Sequence, residues 1–372
     1  MAQARLPRPF WDFLEGWADD GISFHRNMDA FKDYDLLPRV LEDVSKIDTS
    51  TTVLGNKLKW PVYISPTGAS RMWHHQGELG VARAAARANT LYGLSTVSTV
   101  SLEEVAAETS GPKMFQIYVM KDEAFNRHMI ERCKAAGYAS LCLTVDTPVI
   151  GNRERDHRND FGSPPRLTAK TIASILSRPR WCAGFLRHRD LSFANVKNWL
   201  QTQEGVSSSM KSSQLFVGAQ MVPDVTWDRA AKMIEMWDGE FALKGVGCVE
   251  DAKRAVDIGA TGVILSNHGG RQLDGSAAPI DLVGDVAEAV GDKLDVLMDG
   301  GVRRGTDVVK ALALGAKAVG IGRPYLYAIA AGGEKGLDRM MRLLYLEVRR
   351  AMALTGAASI EDLTRDHVKQ RR

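Results

Sequence analysis

The stretch Gly262-Val263-Ile264-Leu265-Ser266-Asn267-His268-Gly269-Gly270-Arg271-Gln272-Leu273-Asp274 joins an apolar run to a polar loop that contains two glycines. A short apolar run of this length is typical of a buried strand. The loop carries His268, which can exchange a proton near neutral pH. It also carries Arg271, which can bind a carboxylate through two parallel hydrogen bonds. The pattern therefore predicts a base and an anion-binding group at the C-terminal end of a strand.

The same succession of strand, polar loop and helix repeats along the chain. Eight candidate strands cover residues 62–65, 92–95, 114–118, 140–145, 241–244, 262–266, 295–298 and 318–321. Helical patterns lie between them, for example over residues 78–88, 123–136, 249–258 and 306–314. Eight alternating units predict an α/β fold of the (β/α)8 TIM barrel type. A doubly wound nucleotide-binding fold is disfavoured, because the glycine pairs at 245–247 and 320–322 lack a third glycine and do not follow the first strand.

Length and composition limit the class of protein. The chain has 372 residues, of which 45% are hydrophobic and 25% charged, and its net charge is +3. These values suit a globular protein with a sizeable core and give no electrostatic reason to expect nucleic-acid binding. We expect a single barrel domain over residues 1–372.

The cysteines and the N-terminus bear on location. Cys133, Cys142, Cys182 and Cys248 show neither CxxC nor metal-ligand spacing. Reduced thiols in a cytoplasmic protein without a metal site are therefore expected. Residues 1–8 contain no apolar signal core, and no apolar run reaches the about 18 residues of a membrane helix. We predict neither secretion nor a membrane span.

Two segments stand outside the repeat. Residues 6–20 mix aromatic and acidic side chains and predict a short helix packed on the barrel. Residues 161–225, between the fourth and fifth strands, predict a long loop insertion that is either functional or disordered. Its basic and aromatic part, residues 178–189, suits either an anionic membrane surface or a lid or subunit contact. Its polar part, residues 207–213, is expected to be flexible.

Polar residues end the predicted strands, where a barrel places its active site. The first strand ends in Pro66, Thr67, Gly68 and Ala69, and the polar residues at the ends of the next five are Ser95, Gln116, Tyr118, Thr144, Asp146, Lys244, Ser266 and His268. The last two strands end in loops rich in glycine and arginine, residues 299–305 and 320–324, which suit a phosphate group. The pattern predicts a flat, phosphate-bearing ligand with Lys244 near a ring that gains negative charge on reduction. The implied cofactor is FMN.

At these residues the chain resembles the FMN-dependent 2-hydroxy acid oxidases and dehydrogenases, which include glycolate oxidase, L-lactate dehydrogenase and mandelate dehydrogenase. The resemblance runs from about residue 6 to residue 367 and is most specific at residues 266–274, 143–148, 299–305 and 321–324. It implies the barrel fold, bound FMN and a homotetramer.

The resemblance also implies roles for matching residues. His268 would be the base at the substrate's α-carbon or hydroxyl, and Asp146 would stabilise the imidazolium. Arg271 and Arg153 would hold the substrate carboxylate, and Tyr118 would contact the hydroxyl or carboxylate. The implied FMN contacts are Pro66, Thr67, Gly68, Ala69, Ser95, Gln116, Thr144, Lys244 and Ser266 at the ring, Asp299 at the ribityl chain, and Gly301, Arg303, Gly322 and Arg323 at the phosphate.

Three positions depart from the family pattern. Phe13 stands where many members have a tyrosine, so one hydrogen bond to the substrate carboxylate, worth roughly 1.5–3 kcal/mol, should be missing. Val97 stands where glycolate-selective members carry a bulky aromatic residue, which leaves room for a longer or aromatic substrate. Trp17 replaces a usual glycine and is expected to reshape the entrance.

The resemblance predicts oxidation of an (S)-2-hydroxy acid of the L-lactate or mandelate type to the 2-oxo acid. Residues 94–98 and the long insertion resemble the bacterial L-lactate and mandelate dehydrogenases, which favours electron transfer to a quinone or another acceptor. The alternatives are an oxidase that reduces O₂ to hydrogen peroxide and a relative acting on a larger or non-standard substrate. The expected location is the cytoplasm, with peripheral contact at the inner face of the membrane as a further possibility for the insertion.

Overall fold

The computed structural model describes residues 1–161, 168–204, 206–221 and 223–371. Eight parallel strands pair in chain order, and the eighth pairs with the first to close a barrel. We number them β1 to β8: Val62–Thr67, Tyr92–Ser95, Lys113–Ile117, Ser140–Thr144, Glu240–Val246, Gly262–Leu265, Asp295–Asp299 and Ala318–Ile321. The predicted (β/α)8 barrel is confirmed, and every predicted strand overlaps an observed one.

Helices connect the successive strands, and an eighth helix follows β8. They are Gly77–Arg87, Leu102–Glu108, Glu123–Ala135, Trp227–Trp237, Val249–Asp257, Pro279–Val290, Gly305–Ala313 and Arg323–Thr355. The four helices predicted from the sequence are confirmed to within a residue at each end. Gly333, with φ of 61°, interrupts the last helix. Among the described helices, none combines the length and the apolar character needed to cross a bilayer.

The insertion after β4 is confirmed, but the prediction that residues 161–225 form a loop is wrong. Its described part contains the helices Ala169–Leu176, Pro179–Arg187, Ala194–Gln201 and Met210–Gln220. Thr168 and Ser209 cap two of these helices with side-chain oxygens, and Pro179 begins a third. The polar stretch 207–213 therefore includes a helix start. Residues 162–167, 205 and 222, which also belong to the predicted loop, lie outside the described residues.

The predicted N-terminal helical segment is present and lies against the loops at the C-terminal end of the barrel. It consists of Ala2–Arg5, Arg8–Glu15 and Ile22–Asp29. Two short antiparallel pairs complete the described strands, Tyr34–Leu36 with Val368–Gln370 and Thr51–Val53 with Asn56–Leu58. The N-terminal segment therefore lies close to the loops that follow the strands, for example where the main-chain N–H of Ala18 donates to the carbonyl of Gly270.

Side-chain alternation along the strands positions the site. A small apolar cluster in the barrel includes Tyr63, Met114, Cys142, Ala242, Ile264 and Leu297. Because successive strand side chains alternate between two faces, the residues two positions further along share the inward face. Five of these are Gln116, Thr144, Lys244, Ser266 and Asp299. An apolar layer thus supports a polar layer at the C-terminal ends of the strands.

Candidate active site

A buried ionic group occupies the polar layer. Lys244 donates to Asp299 over 2.9 Å and to Ser266 Oγ over 2.8 Å, while Ser266 donates to Asp299 over 2.5 Å. Burial disfavours the ammonium charge, yet Asp299 and Asp146 outweigh it and raise the pKa of Lys244. We call Lys244, Ser266 and Asp299 the strand group. It holds a fixed positive charge inside the mouth of the barrel.

His268 lies next to this group and is oriented by a carboxylate. Its Nδ1 is 3.1 and 3.2 Å from the two carboxylate oxygens of Asp146, and its main-chain N–H donates to Ser266 Oγ over 3.1 Å. Burial opposes ionisation of Asp146, but the charges of His268 and Lys244 and the hydrogen bond to His268 lower its pKa. The ionised carboxylate accepts from Nδ1, which leaves Nε2 as the nitrogen able to take a proton.

The loop backbone holds this imidazole in an uncommon conformation. His268 has φ of 58°, and Gly269 and Gly270 follow with φ of 66° and 73°. Three successive residues in the left-handed region turn the chain sharply. A side chain on Gly270 would collide with the backbone of Phe24, so that glycine also permits the N-terminal segment to approach.

Two arginines flank the ring of Phe13. The guanidinium carbon of Arg271 lies 4.8 Å and that of Arg153 5.6 Å from the ring centroid. Arg271 donates to the carbonyls of Phe13 and Gly16 over 2.7 and 3.0 Å. Burial, with Arg153 and Arg323 nearby, lowers the pKa of Arg271 well below its ordinary value. The crowded positive charge suits an anionic ligand.

Asp156 is a member of this region that sequence reasoning missed. Arg153 Nε lies 3.6 Å from one of its oxygens, and the other oxygen is buried without a partner among the described residues. Burial raises the pKa of Asp156 against the opposing charges of Arg153 and Arg271. The spacing of three residues between Arg153 and Asp156 is the sequence feature that could have predicted their ion pair. We call Arg153, Arg271, Asp156 and Phe13 the loop group.

Tyr118 follows β3 and lies on the same side of the mouth as Asp146. Burial, and next the charge of Asp146, raise the pKa of Tyr118 to about 12. The phenol is therefore protonated at neutral pH and can donate a hydrogen bond. Val97, after β2, is partly buried and packs on the end of β1, because a Cβ on Gly68 would lie 2.6 Å from its Cγ2.

The predicted ring contacts converge on the polar layer. Register places Ser95 beside Gln116 and Thr144 beside Lys244. Ser95 donates to Gln116 Oε1 over 2.7 Å, while Gln116 Nε2 is buried and has no partner among the described residues. A buried unpartnered donor requires an acceptor. The heteroatom edge of a flavin supplies such acceptors, so these residues fit FMN.

The end of β1 borders the same mouth. Pro66 and Thr67 end the strand, and Thr67 bonds the hydroxyl of Tyr325. Ala69 adopts φ of 54° and donates its main-chain N–H to the carbonyl of Val97 over 3.0 Å. These contacts bring the loops after β1 and β2 together at one side of the mouth.

The two glycine-containing loops differ in what surrounds them. A Cβ on Gly301 would lie 1.8 Å from the carbonyl oxygen of Asn27, whereas a Cβ on Gly322 would meet nothing within 4 Å. Gly322 therefore leaves open space beside the backbone. Arg303 donates to its neighbour's carbonyl over 3.0 Å. Arg323 donates to the carbonyls of Leu14, Gly16 and Gly269, which occupies part of its donor set, and burial lowers its pKa to about 10.

A reciprocal amide pair, also missed from sequence, joins the N-terminal segment to the loop after β6. Asn27 and Asn267 exchange two side-chain hydrogen bonds of 2.7 Å, and both are buried. Asp274 accepts from the main-chain N–H groups of Ile22 and Ser23 over 3.1 and 2.7 Å. Asn27 and Asn267 are 240 residues apart, so no local sequence pattern could predict this contact.

Comparisons with known proteins agree with this geometry. Residues 2–370 match the family model described as FMN-dependent dehydrogenase. The L-lactate dehydrogenase of Caulobacter vibrioides is 41% identical over 100% of this chain and 96% of its own length. The L-lactate oxidase of a Nostoc species is 40% identical over 98% of this chain and 94% of its own.

A solved structure described as the monotopic membrane protein (S)-mandelate dehydrogenase superposes with a TM-score of 0.94. It is 37% identical and covers 100% of this chain and 97% of its own. Fold, polar layer and full-length similarity lead to the same assignment. This chain belongs to the FMN-dependent dehydrogenase family.

Proposed function

We propose that this protein oxidises an (S)-2-hydroxy acid of the L-lactate or mandelate type to the corresponding 2-oxo acid. One observation carries the proposal: His268, backed by Asp146, shares the barrel mouth with two guanidinium groups that flank Phe13. A base beside a carboxylate-binding pair matches a substrate that has a hydroxyl on the carbon next to its carboxylate.

The residues divide the chemistry as follows. Arg153 and Arg271 bind the carboxylate and orient the α-carbon, and the protonated Tyr118 donates to the hydroxyl or carboxylate oxygen. His268 Nε2 takes one proton from the α-carbon or hydroxyl, and Asp146 stabilises the resulting imidazolium. The substrate loses two electrons and two protons in becoming the 2-oxo acid. When bound, FMN would supply the chemistry of accepting the two electrons together with the second proton.

The chain's own residues are arranged to hold that cofactor. Lys244 would face the ring edge that becomes negative, with Ser95, Gln116, Thr144 and Ser266 as polar neighbours and Pro66, Thr67, Gly68 and Ala69 beside the ring. Asp299 would contact the ribityl chain, and Gly301, Arg303, Gly322 and Arg323 the phosphate. Open space at Gly322 supports the phosphate assignment more directly than the packed Gly301 does.

Substrate size follows from two side chains. Phe13 offers no hydroxyl to the carboxylate, and its ring already contacts both arginines and stacks on Trp73 at 6.0 Å. Val97 is smaller than an aromatic residue. An acid with an apolar or aromatic substituent would gain contacts here that glycolate cannot make.

For the acceptor, we favour a quinone or another carrier over O₂. The insertion supports this choice. Leu176, Leu186 and Ile172 expose 71%, 58% and 44% of their surface, and they lie within or close to the arginine-rich stretch 178–189. Such a surface suits peripheral contact with an anionic membrane. A single domain over residues 1–372 and a homotetramer stay predictions.

Anaerobic flavin reduction tests the proposal. The purified yellow protein is mixed with L-lactate, (S)-mandelate, glycolate or their enantiomers, and the oxidised-flavin absorbance is followed. Bleaching by one enantiomer is expected, with slow recovery when air is admitted. Rapid recovery in air would identify an oxidase. If no hydroxy acid bleaches a flavin that dithionite reduces, the proposed substrate class is wrong.

A further inference from the structure

A cleft outside the barrel mouth is lined mainly by cations and aromatic rings. It lies between the loop after β1, the first helix of the chain and the insertion helix Pro179–Arg187, and its cavity volume is about 50 Å³. Its lining includes Arg5, Arg71, Trp73, His74, His75 and Arg180. We call it the Trp73 cleft.

Among the described residues, no ion pair balances the positive charge of this cleft. Arg5, Arg71 and Arg180 form no ion pair with any described carboxylate, and none of the residues that line the cleft is acidic. Arg187 lies 3.4 Å from His75 and adds a further cation at the edge. Burial, and next His75, Arg5 and Arg187, lower the pKa of His74 to about 4, which reports the same accumulation of positive charge.

Two buried donors in the lining lack acceptors. Trp73 is 3% exposed, and its Nε1 has no hydrogen-bond partner among the described residues. Arg71 Nε is likewise buried and unpartnered, although its Nη1 donates to the carbonyl of Thr99. A buried donor left without an acceptor costs roughly 1–3 kcal/mol. Both donors would be satisfied by one ligand bearing several acceptor oxygens.

We propose that the Trp73 cleft is a second ligand site, which binds a phosphate-type oxyanion through Arg5, Arg71, Arg180 and the indole N–H of Trp73. The donors in this cleft come from three separate elements. A tetrahedral oxyanion fits them because its acceptor oxygens point in several directions. The source is either free phosphate or the head group of an anionic phospholipid. The lipid source has structural support, because Arg180 shares its helix with the exposed Leu186.

The site is separated from the candidate active site by one layer of rings. Trp73 stacks on Phe13, which also contacts Phe161 and the guanidiniums of Arg153 and Arg271. Oxyanion binding in the cleft is distinct from hydroxy acid oxidation and is measured without turnover. Failure of one proposal therefore leaves the other standing.

Isothermal titration calorimetry of the holoenzyme with inorganic phosphate, and separately with dihexanoyl phosphatidylglycerol below its micelle concentration, tests the inference. Saturable binding is expected, and the double variant Arg5→Gln/Arg180→Gln should weaken it about tenfold or more. Arg180→Gln alone should also weaken binding, and Arg189→Gln is its matched control, because it removes one positive charge from an exposed position of the same insertion outside the cleft. It should change the affinity less than about twofold.

A gentler variant guards against misfolding. Trp73→Phe keeps a ring on Phe13 and removes only the unpartnered donor, so it should fold and still lose affinity several-fold. Tighter binding of the phospholipid than of phosphate would identify the lipid as the source, and the reverse would identify free phosphate. Absence of binding by both probes, or equal affinity of the wild type, the double variant and Trp73→Phe, would overturn the inference.

Discussion

The strand group and the loop group hold positive charge in opposite ways. Lys244 is 4% exposed and bonded directly to Asp299, so the protein itself balances its charge. Arg153 and Arg271 share one carboxylate, Asp156, at 3.6 Å from Arg153. Under the proposed function, the strand group needs no substrate to balance its charge, whereas the loop group retains excess positive charge that the substrate carboxylate would neutralise. Substrate preference can therefore change in the loops without disturbing the barrel.

His268 joins the two groups, and its removal should have the largest effect. His268→Gln keeps a polar side chain but removes the base, so the rate of flavin reduction should fall by about 10²–10⁴-fold. Anaerobic stopped-flow absorbance measures this rate. An unchanged spectrum of bound oxidised flavin is the control for folding, and a near wild-type rate would exclude His268 as the base.

Breaking the strand group should reduce stability. Lys244→Met leaves Asp299 buried without its cation, and loss of one partner of a buried pair costs about 3–5 kcal/mol. The free energy of unfolding is obtained from urea titration. Lys244→Met/Asp299→Asn should recover part of the loss, because it removes the stranded charge. Equal losses in the single and double variants would contradict the view that the pair balances itself.

The loop group should respond through substrate binding instead. Arg153→Met should lower kcat/KM for the hydroxy acid by about 10–150-fold, corresponding to roughly 1.5–3 kcal/mol for a bond to a charged group. The fall in kcat/KM should result mainly from a higher KM, and the free energy of unfolding should change little. The uncharged amide of the same acid is the matched control substrate. An equal loss with the amide would show that Arg153 does not act on the carboxylate.

Phe13→Tyr tests the loop group by adding a hydroxyl, and its expected effect on kcat/KM is smaller than that of Arg153→Met. The new hydroxyl would donate to the substrate carboxylate, which Arg153 and Arg271 already bind, so the gain should be smaller than the roughly 1.5–3 kcal/mol of an unshared bond to a charged group. We expect kcat/KM for L-lactate to rise about 2–10-fold, or roughly 0.5–1.5 kcal/mol. Steady-state kinetics with L-lactate and (S)-mandelate measures the effect. A fall for both acids would mean that the ring packing on Trp73 matters more than the added bond.

The smallest effect concerns acid stability. The pKa of Asp146 is lowered below its ordinary value of 3.8 in the folded protein, so its contribution to stability is present above pH 3.8. That contribution is lost as the pH falls through the lower folded pKa. Unfolding free energies of the wild type and Asp146→Asn, measured against pH, should converge in this acid range. A constant difference between the two proteins would contradict the lowered pKa.

Sequence reasoning recovered the barrel and the polar layer because both depend on local periodicity. Apolar strands end in polar residues two positions after inward-facing apolar ones, as with Cys142 and Thr144. It did not anticipate the insertion helices. They are short and partly exposed, so packing against the rest of the protein contributes more to them than propensity does.

The same limit applies within the site. The identity of Phe13 was visible in the sequence, but its position between two guanidiniums was not. Arg323 was predicted to contact phosphate, yet its bonds to carbonyls of the N-terminal segment depend on how distant elements dock. Contacts such as Asn27 with Asn267 need the folded chain before they can be recognised.

The order of synthesis gives these N-terminal contacts a further meaning. Phe13, Leu14 and Gly16 precede their partners Arg271 and Arg323 by 255 to 309 residues. Residues 13–16 therefore leave the ribosome well before these partners, and they cannot dock until the last strands of the barrel have been made. They are synthesised early but reach their native positions late.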